Sequence, residues 1–238
     1  MPHVVTCFLR HRTHVLLARR SDAVGTDAGR WAGISGPVEG DPTDAEADAR
    51  REIREETGVE SATLVRVGDP LDVRDGDRTW TVHPFLFEVG SRDIDPNEGL
   101  DAHEWASPPA IHDRETVPGL WNAYVAVAPT VETVAADGTH GSAWISVRAL
   151  EVLRDRAAVA GTADAVVAVA RDLRAVRPSM AAVANRVNRV MADADRTPAA
   201  IRERAQRAAA AALDADDAAA ARAAERCGAS VATLSRSG

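Results

Sequence analysis

Apolar residues gather in four short runs in the first half of the chain: VVTCFL (4–9), HVLLARR (14–20), ATLVRVG (62–68) and TWTVHPFLFEV (79–89). Each is rich in β-branched or aromatic residues, and turn-like spacers such as RDGDR (74–78) separate them, which predicts strands. The segment DPTDAEADARREIREETGVE (41–60) has a different rhythm, with Ala49 and Ile53 four apart on an otherwise polar stretch, and predicts a helix. Thr43 and Glu46 stand at capping-box spacing, Asp41-Pro42 offers a second start, and Gly58 is a natural left-handed stop. Beyond residue 128 the chain turns alanine-rich, and helices are predicted over 129–136, 141–159, 162–176, 179–194 and 198–226. Gly138, Gly161, Pro178 and the Thr197-Pro198 pair mark the breaks. The closing ASVATLS (229–235) reads as the start of a buried strand with nothing after it, so the expectation is a piece of a longer protein.

The pattern therefore predicts an α/β domain over residues 1–128, with a mixed sheet flanked by helices. A helical domain over 129–226 and the beginning of a third unit over 227–238 follow. Composition supports a folded chain: 45% of the 238 residues are hydrophobic, enough for a sizeable core. A net charge of −8 argues against a nucleic-acid partner, although every basic residue is an arginine. No apolar run approaches the ~20 residues of a membrane span, so no membrane partner is expected. Two isolated cysteines, Cys7 and Cys227, fit a reducing cytoplasm.

Chemistry concentrates in REIREETGV (51–59), where Glu52, Glu55 and Glu56 fall at i, i+3 and i+4. Three glutamates on an ordinary helix form a solvated charged face. The competing account is a hard divalent cation, which takes oxygen ligands and neutralises the repulsion. Arg51, four residues before Glu55, is placed to orient that carboxylate.

These residues resemble the core of the Nudix box: Arg-Glu, an apolar residue, any residue, Glu-Glu, any residue, Gly, an apolar residue. The preceding WAGISGPVEG (31–40) is similar to the strand and glycine loop that lead into that box. The resemblance departs upstream. Counting back from Arg51, the family pattern expects Glu at 43 and Gly at 37, where this chain has Thr43 and Pro37. Gly36 is displaced by one, and Glu39, Asp41 and Asp44 are the candidates for the lost acid. The resemblance implies an α/β/α sandwich that cleaves a diphosphate linkage in a nucleoside diphosphate derivative. It implies Glu52, Glu55 and Glu56 as ligands of Mg²⁺ or Mn²⁺, with Glu56 or Glu52 also the base. Arg51 would orient a carboxylate, and Gly36 with Glu39 would approach the bound phosphates and metal.

Around that core, Trp31, Trp80, Phe85 and Phe87 are candidates to stack on a base, against the commoner fate of core aromatics. Arg19, Arg20 and Arg30 are candidates to meet phosphates. LDAHEW (100–105) resembles a late Nudix strand, with Glu104 a candidate to reach the metal, while His11 and His14 read as surface.

The second half is similar to the helical N-terminal region of the translation initiation factor 2B alpha/beta/delta family, which includes ribose-1,5-bisphosphate isomerases. Asp137, His140-Gly141, Arg177-Pro178-Ser179 and Asn185 carry the likeness, and GASVATLSRSG (228–238) resembles the first strand and serine loop of that family's Rossmann-like part. That resemblance implies a truncated module without isomerase activity, and homodimerisation through the helical half. The function expected is a metal-dependent Nudix-type pyrophosphohydrolase fused to that module. The alternatives are a nucleotide sensor that does not cleave, and a parent protein whose main activity lies in the second half.

Overall fold

The computed structural model describes residues 1–24 and 27–227. The chain forms two compact units, Met1–Ala128 and a second beginning at Pro129. The expected closing strand and the loop after it lie outside the described residues.

The first unit is built on a mixed sheet. β1 (His3–His11), β2 (His14–Arg20), β3 (Trp31–Ala32), β4 (Ile34–Pro37), β5 (Thr63–Val67), β6 (Leu71–Asp75), β7 (Arg78–Glu88) and β8 (Leu100–Ala106) all belong to it. β1 runs parallel to β7, with Val5 opposite His83 and Cys7 opposite Phe85. Every other named pairing is antiparallel: β1 with β2 and β4, β2 with β3 and β8, and β7 with β5 and β6.

Period-2 alternation sends the central strands' side chains to two cores. Val5, Cys7, Leu9, Phe85 and Phe87 meet Ala49 and Ile53 of α1 (Glu46–Thr57). On the other face, Phe8, Leu17 and Leu86 meet Leu120, Tyr124 and Val127 of α2 (Leu120–Val127). That is the expected α/β/α sandwich. Phe85 and Phe87 are 2% and 0% exposed, so both are core side chains and neither can stack on a ligand.

The start of α1 differs from the capping-box expectation. Asp41 accepts hydrogen bonds from the Thr43 amide (2.9 Å) and hydroxyl (2.8 Å), capping a short 3₁₀ turn over Pro42–Asp44. Thr43 is thereby committed, and Glu46 instead pairs with Arg50 at 2.8 Å. α1 begins after Ala45 without a side-chain cap and ends, as expected, at Gly58 with φ 67°.

The second unit holds α3 (Val131–Ala136), α4 (Ser142–Val159), α5 (Ala163–Ala175), α6 (Ala181–Asp193) and α7 (Pro198–Arg226). Thr130, Thr162 and Thr197 cap α3, α5 and α7 through their side chains. α4 is the central helix, buried on nearly every face, and its Leu150 and Leu153 pack with Val166, Val187 and Ala205. No helix among the described residues is long and apolar enough to cross a membrane.

Candidate active site

β4 and α1 create the site by close approach. β4 lies beside β1, with Gly36 opposite Val5, and α1 returns over it so that Glu52 faces Gly36. A Cβ on residue 36 would fall 2.0 Å from the Glu52 carboxyl carbon, so only glycine leaves room for that carboxylate. The displaced glycine is therefore the residue against which the acid is seated.

Arg51 fixes the other side of Glu52. Its guanidinium donates to Glu52 Oε1 (2.9 Å), Asp48 Oδ1 (2.5 Å), Glu39 Oε2 (3.2 Å) and the Pro37 carbonyl (3.1 Å). This corrects the expected bond to Glu55. Successive helical residues diverge by about 100°, yet the long arginine folds back along its own turn and reaches its neighbour. Glu39 bonds to Arg51 while its side chain stays 68% exposed. Asp48, buried and bonded to Arg51, was not singled out from sequence; its only signal was i, i+3 spacing to that arginine.

Glu52 and Glu56 line one cavity of about 410 Å³. Ser35, Gly36, Pro37, Thr6 and Arg20 line it with them. Val73, Trp80, Val82, Val117 and Leu120 supply an apolar part, and Asp27 and Asp75 add two further carboxylates. The wall at Val117 is held by β-type bonding to Trp31: the Trp31 amide donates to the Glu115 carbonyl (2.9 Å) and the Val117 amide to the Trp31 carbonyl (3.0 Å).

The electrostatics of the two acids are strained. Burial pushes the Glu56 carboxyl up to about 7, the Glu52 charge adds to the shift, and an amide hydrogen bond from Ser35 and the Arg20 charge oppose it. Burial also raises Glu52, outweighing its bond to Arg51. Cys7, buried beneath α1, is pushed well up by burial first and then by these same two charges. Glu55 is exposed and absent from the cavity lining, and its backbone carbonyl accepts from Asn97 Nδ2 at 3.0 Å.

Among the described residues, no three His, Cys, Asp or Glu side chains converge to hold a metal ion. The pair Glu52 and Glu56 still fits a hard cation by its donor chemistry. Both offer only oxygen, both are held at a charge-disfavouring place, and Mg²⁺ commonly takes one or two carboxylates and keeps several waters.

Other candidates fall into two groups. Trp80 and Arg20 line the cavity. Trp31 lies beneath Arg114, whose guanidinium carbon is 5.4 Å from the ring centre. Arg19 pairs with Asp101 at 3.9 Å, Arg30 with Asp27 at 2.9 Å, and Glu104 with Arg114 at 2.5 Å. None of Trp31, Arg19, Arg30 and Glu104 lines the cavity. Ser35 and Asp75 were missed, because a backbone amide and a hairpin carboxylate leave no recognisable spacing in a sequence.

A family model described as NUDIX domain matches residues 1–127. Among solved structures, the MutT protein from Methanosarcina mazei Go1 is 24% identical, covering 52% of this chain and 88% of that one, at a TM-score of 0.43. The E. coli ORF135 protein is 28% identical over 53% of this chain and 89% of its own, at 0.42. A MutT NUDIX hydrolase from Burkholderia pseudomallei is 24% identical over 53% and 97%, at 0.41. A comparison with curated proteins found no match.

Proposed function

Because this chain belongs to the NUDIX family of pyrophosphohydrolases, we propose that its first unit hydrolyses the diphosphate linkage of a nucleoside diphosphate derivative with a divalent metal, Mg²⁺ or Mn²⁺. The observation that carries the reading is Glu52 and Glu56 facing one cavity with an apolar, tryptophan-bearing end.

Glu52 and Glu56 would hold the metal, and Glu55, on the exposed side of the same helix, would add a further carboxylate to it. Bound there, the ion would supply charge neutralisation at the phosphates and a more acidic water. Arg51 keeps the Glu52 carboxylate in one orientation through the bond to Oε1, and Asp48 and Glu39 keep Arg51 in place. Gly36 leaves space for that carboxylate. The Ser35 amide holds Glu56. Arg20 meets the phosphate oxygens, and the base rests on Trp80 and the aliphatic wall. One of Glu52 and Glu56 accepts the proton of the attacking water.

The second unit is proposed as the helical module of the initiation factor 2B alpha/beta/delta family, dimerising through its helices. Supporting it, three of the shared positions lie together: Asp137 accepts from the His140 and Thr139 amides at 3.0 Å, and Arg177 donates to the carbonyls of Val134 and Asp137.

The test is turnover of nucleoside diphosphate sugars, dinucleoside polyphosphates and nucleoside triphosphates, with Mg²⁺, with Mn²⁺ and with chelator. Metal-dependent release of a nucleoside monophosphate is expected from at least one class. Binding without turnover in every class would instead make the unit a nucleotide sensor.

A further inference from the structure

Glu55 and Glu56 lie in the last turn of α1, so the way that helix ends decides where they stand. The last carbonyls of a helix have no amide partner within it. Gly58 takes one, its amide donating to the Arg54 carbonyl at 3.0 Å. The carbonyls of the next three residues all meet one loop, the segment between β7 and β8. The Asp95 amide donates to the Thr57 carbonyl (2.8 Å), the Asn97 amide to the Glu56 carbonyl (3.2 Å) and Asn97 Nδ2 to the Glu55 carbonyl (3.0 Å).

The far end of the same loop is tied to the strand that carries Arg20. Asn97 Oδ1 accepts from the Gly99 amide (2.8 Å), which folds the loop back on itself. Ser21, 6% exposed, donates its hydroxyl to the Glu98 carbonyl (2.7 Å) and its amide to the Gly99 carbonyl (2.9 Å). Beside it the pairing of β2 with β8 is irregular between Arg19 and Arg20, so that Arg20 lies opposite Leu100. Irregularities of this kind re-aim side chains at the edge of a site. Arg20 and Glu56 line the same cavity, and Asn97 stands between the elements that bear them.

We propose that Asn97 is a positioning residue of the candidate active site: it holds the end of α1 and, through Glu98 and Gly99, the end of β2, so that Glu56 and Arg20 keep one separation across the cavity. The role rests on the hydrolase function proposed for this unit. Asparagine suits it because the side chain donates at one end and accepts at the other, whereas aspartate only accepts and alanine does neither. A reacting group displaced by about 1 Å can cost about 100-fold in rate. Removing the Asn97 side chain leaves the Asp95 and Asn97 amides on α1, so the expected displacement, and its effect, are smaller.

The experiment uses the full chain, with Mn²⁺ alone as the binding probe, read by electron paramagnetic resonance, and kcat for the nucleoside diphosphate derivative turned over best. Asn97→Ala weakens Mn²⁺ binding and lowers kcat, each about three- to tenfold. Asn97→Asp keeps the acceptor for Gly99, loses the donor to Glu55 and lowers kcat as well. Ser91→Ala removes a bond to the Asp93 amide within the same loop (3.1 Å) and leaves both quantities within about twofold. Ser21→Ala combined with Asn97→Ala is no worse than the more damaging of the two alone, as two groups acting through one loop require. Mn²⁺ affinity of the folded chain does not register a loss of stability, so a merely structural role leaves it at the parental value. Parental Mn²⁺ affinity and kcat in Asn97→Ala, parental kcat in Asn97→Asp, equal losses in Ser91→Ala, or additive losses in the Ser21 pair overturn the role while the hydrolase function stands. A parent chain that neither binds Mn²⁺ nor turns over any substrate overturns the hydrolase function, and the role with it.

Discussion

Among the described residues, two helices carry buried charge, and they do so in opposite ways. α4 buries Arg148 against Glu151, and Arg154 against Asp155 with Gln206 at 2.9 Å from the guanidinium. Each cation there lies beside an anion. α1 sets two carboxylates against one cavity, and both are pushed towards their protonated forms. Arg51 offsets Glu52 but is shared with Asp48 and Glu39, and the Ser35 amide and the Arg20 charge offset Glu56 only in part. Opposite charges at contact make a burial that the fold can tolerate. Like charges left facing a cavity cost free energy until a cation arrives from outside. The second arrangement therefore marks a place where the protein awaits something.

This contrast can be broken in order of effect. Glu52→Gln and Glu56→Gln should each lower metal-dependent turnover by about 1000-fold or more, with the urea midpoint of the metal-free protein unchanged or raised. A loss of stability without loss of turnover would place α1 with α4. Arg154→Met is the reverse case: it leaves Asp155 buried without its cation. It should destabilise the helical unit by about 3–5 kcal/mol, read as a fall in its own unfolding midpoint. Gly36→Ala drives a methyl group into the Glu52 carboxylate and should lower kcat by about 10- to 100-fold, with the fold retained by circular dichroism.

The smallest effect is on pH. Glu56 titrates at about 7 in the fold, above the ordinary 4.5. The folded state thus holds more protons than the unfolded one between those values, and this contribution to stability is lost as pH rises through them. In chelator, the urea midpoint should fall between pH 5 and pH 8. Glu56→Gln should flatten that fall, and an unchanged slope would remove Glu56 as its source.

Much of the architecture was legible because local pattern and tertiary fate agree. HVLLARR became β2 at its predicted bounds, since alternate residues feed two cores. Pro198 and Thr197 began α7 where they were expected to. The run LWNAYVAV was not assigned, because eight mostly apolar residues suit a strand or a helix equally and Gly119 before them offers no side-chain cap. At the site, REIREETGV identified the helix and its acids. It could not separate Glu55 from Glu52 and Glu56, since spacing puts residues on a helical face but does not say which edge of that face the sheet will cover.

Residue order alone settled the type of most elements, the break between a sheet-based half and a helical half, and the presence of a carboxylate cluster, because these depend on period, breakers and neighbours within a few positions. Folding in three dimensions selected Glu52 and Glu56 as the pair at the cavity, turned Arg51 onto Glu52, and supplied Ser35, Arg20 and Trp80. Those choices depend on segments distant in the chain being brought within hydrogen-bonding or van der Waals range, and no local pattern encodes that distance.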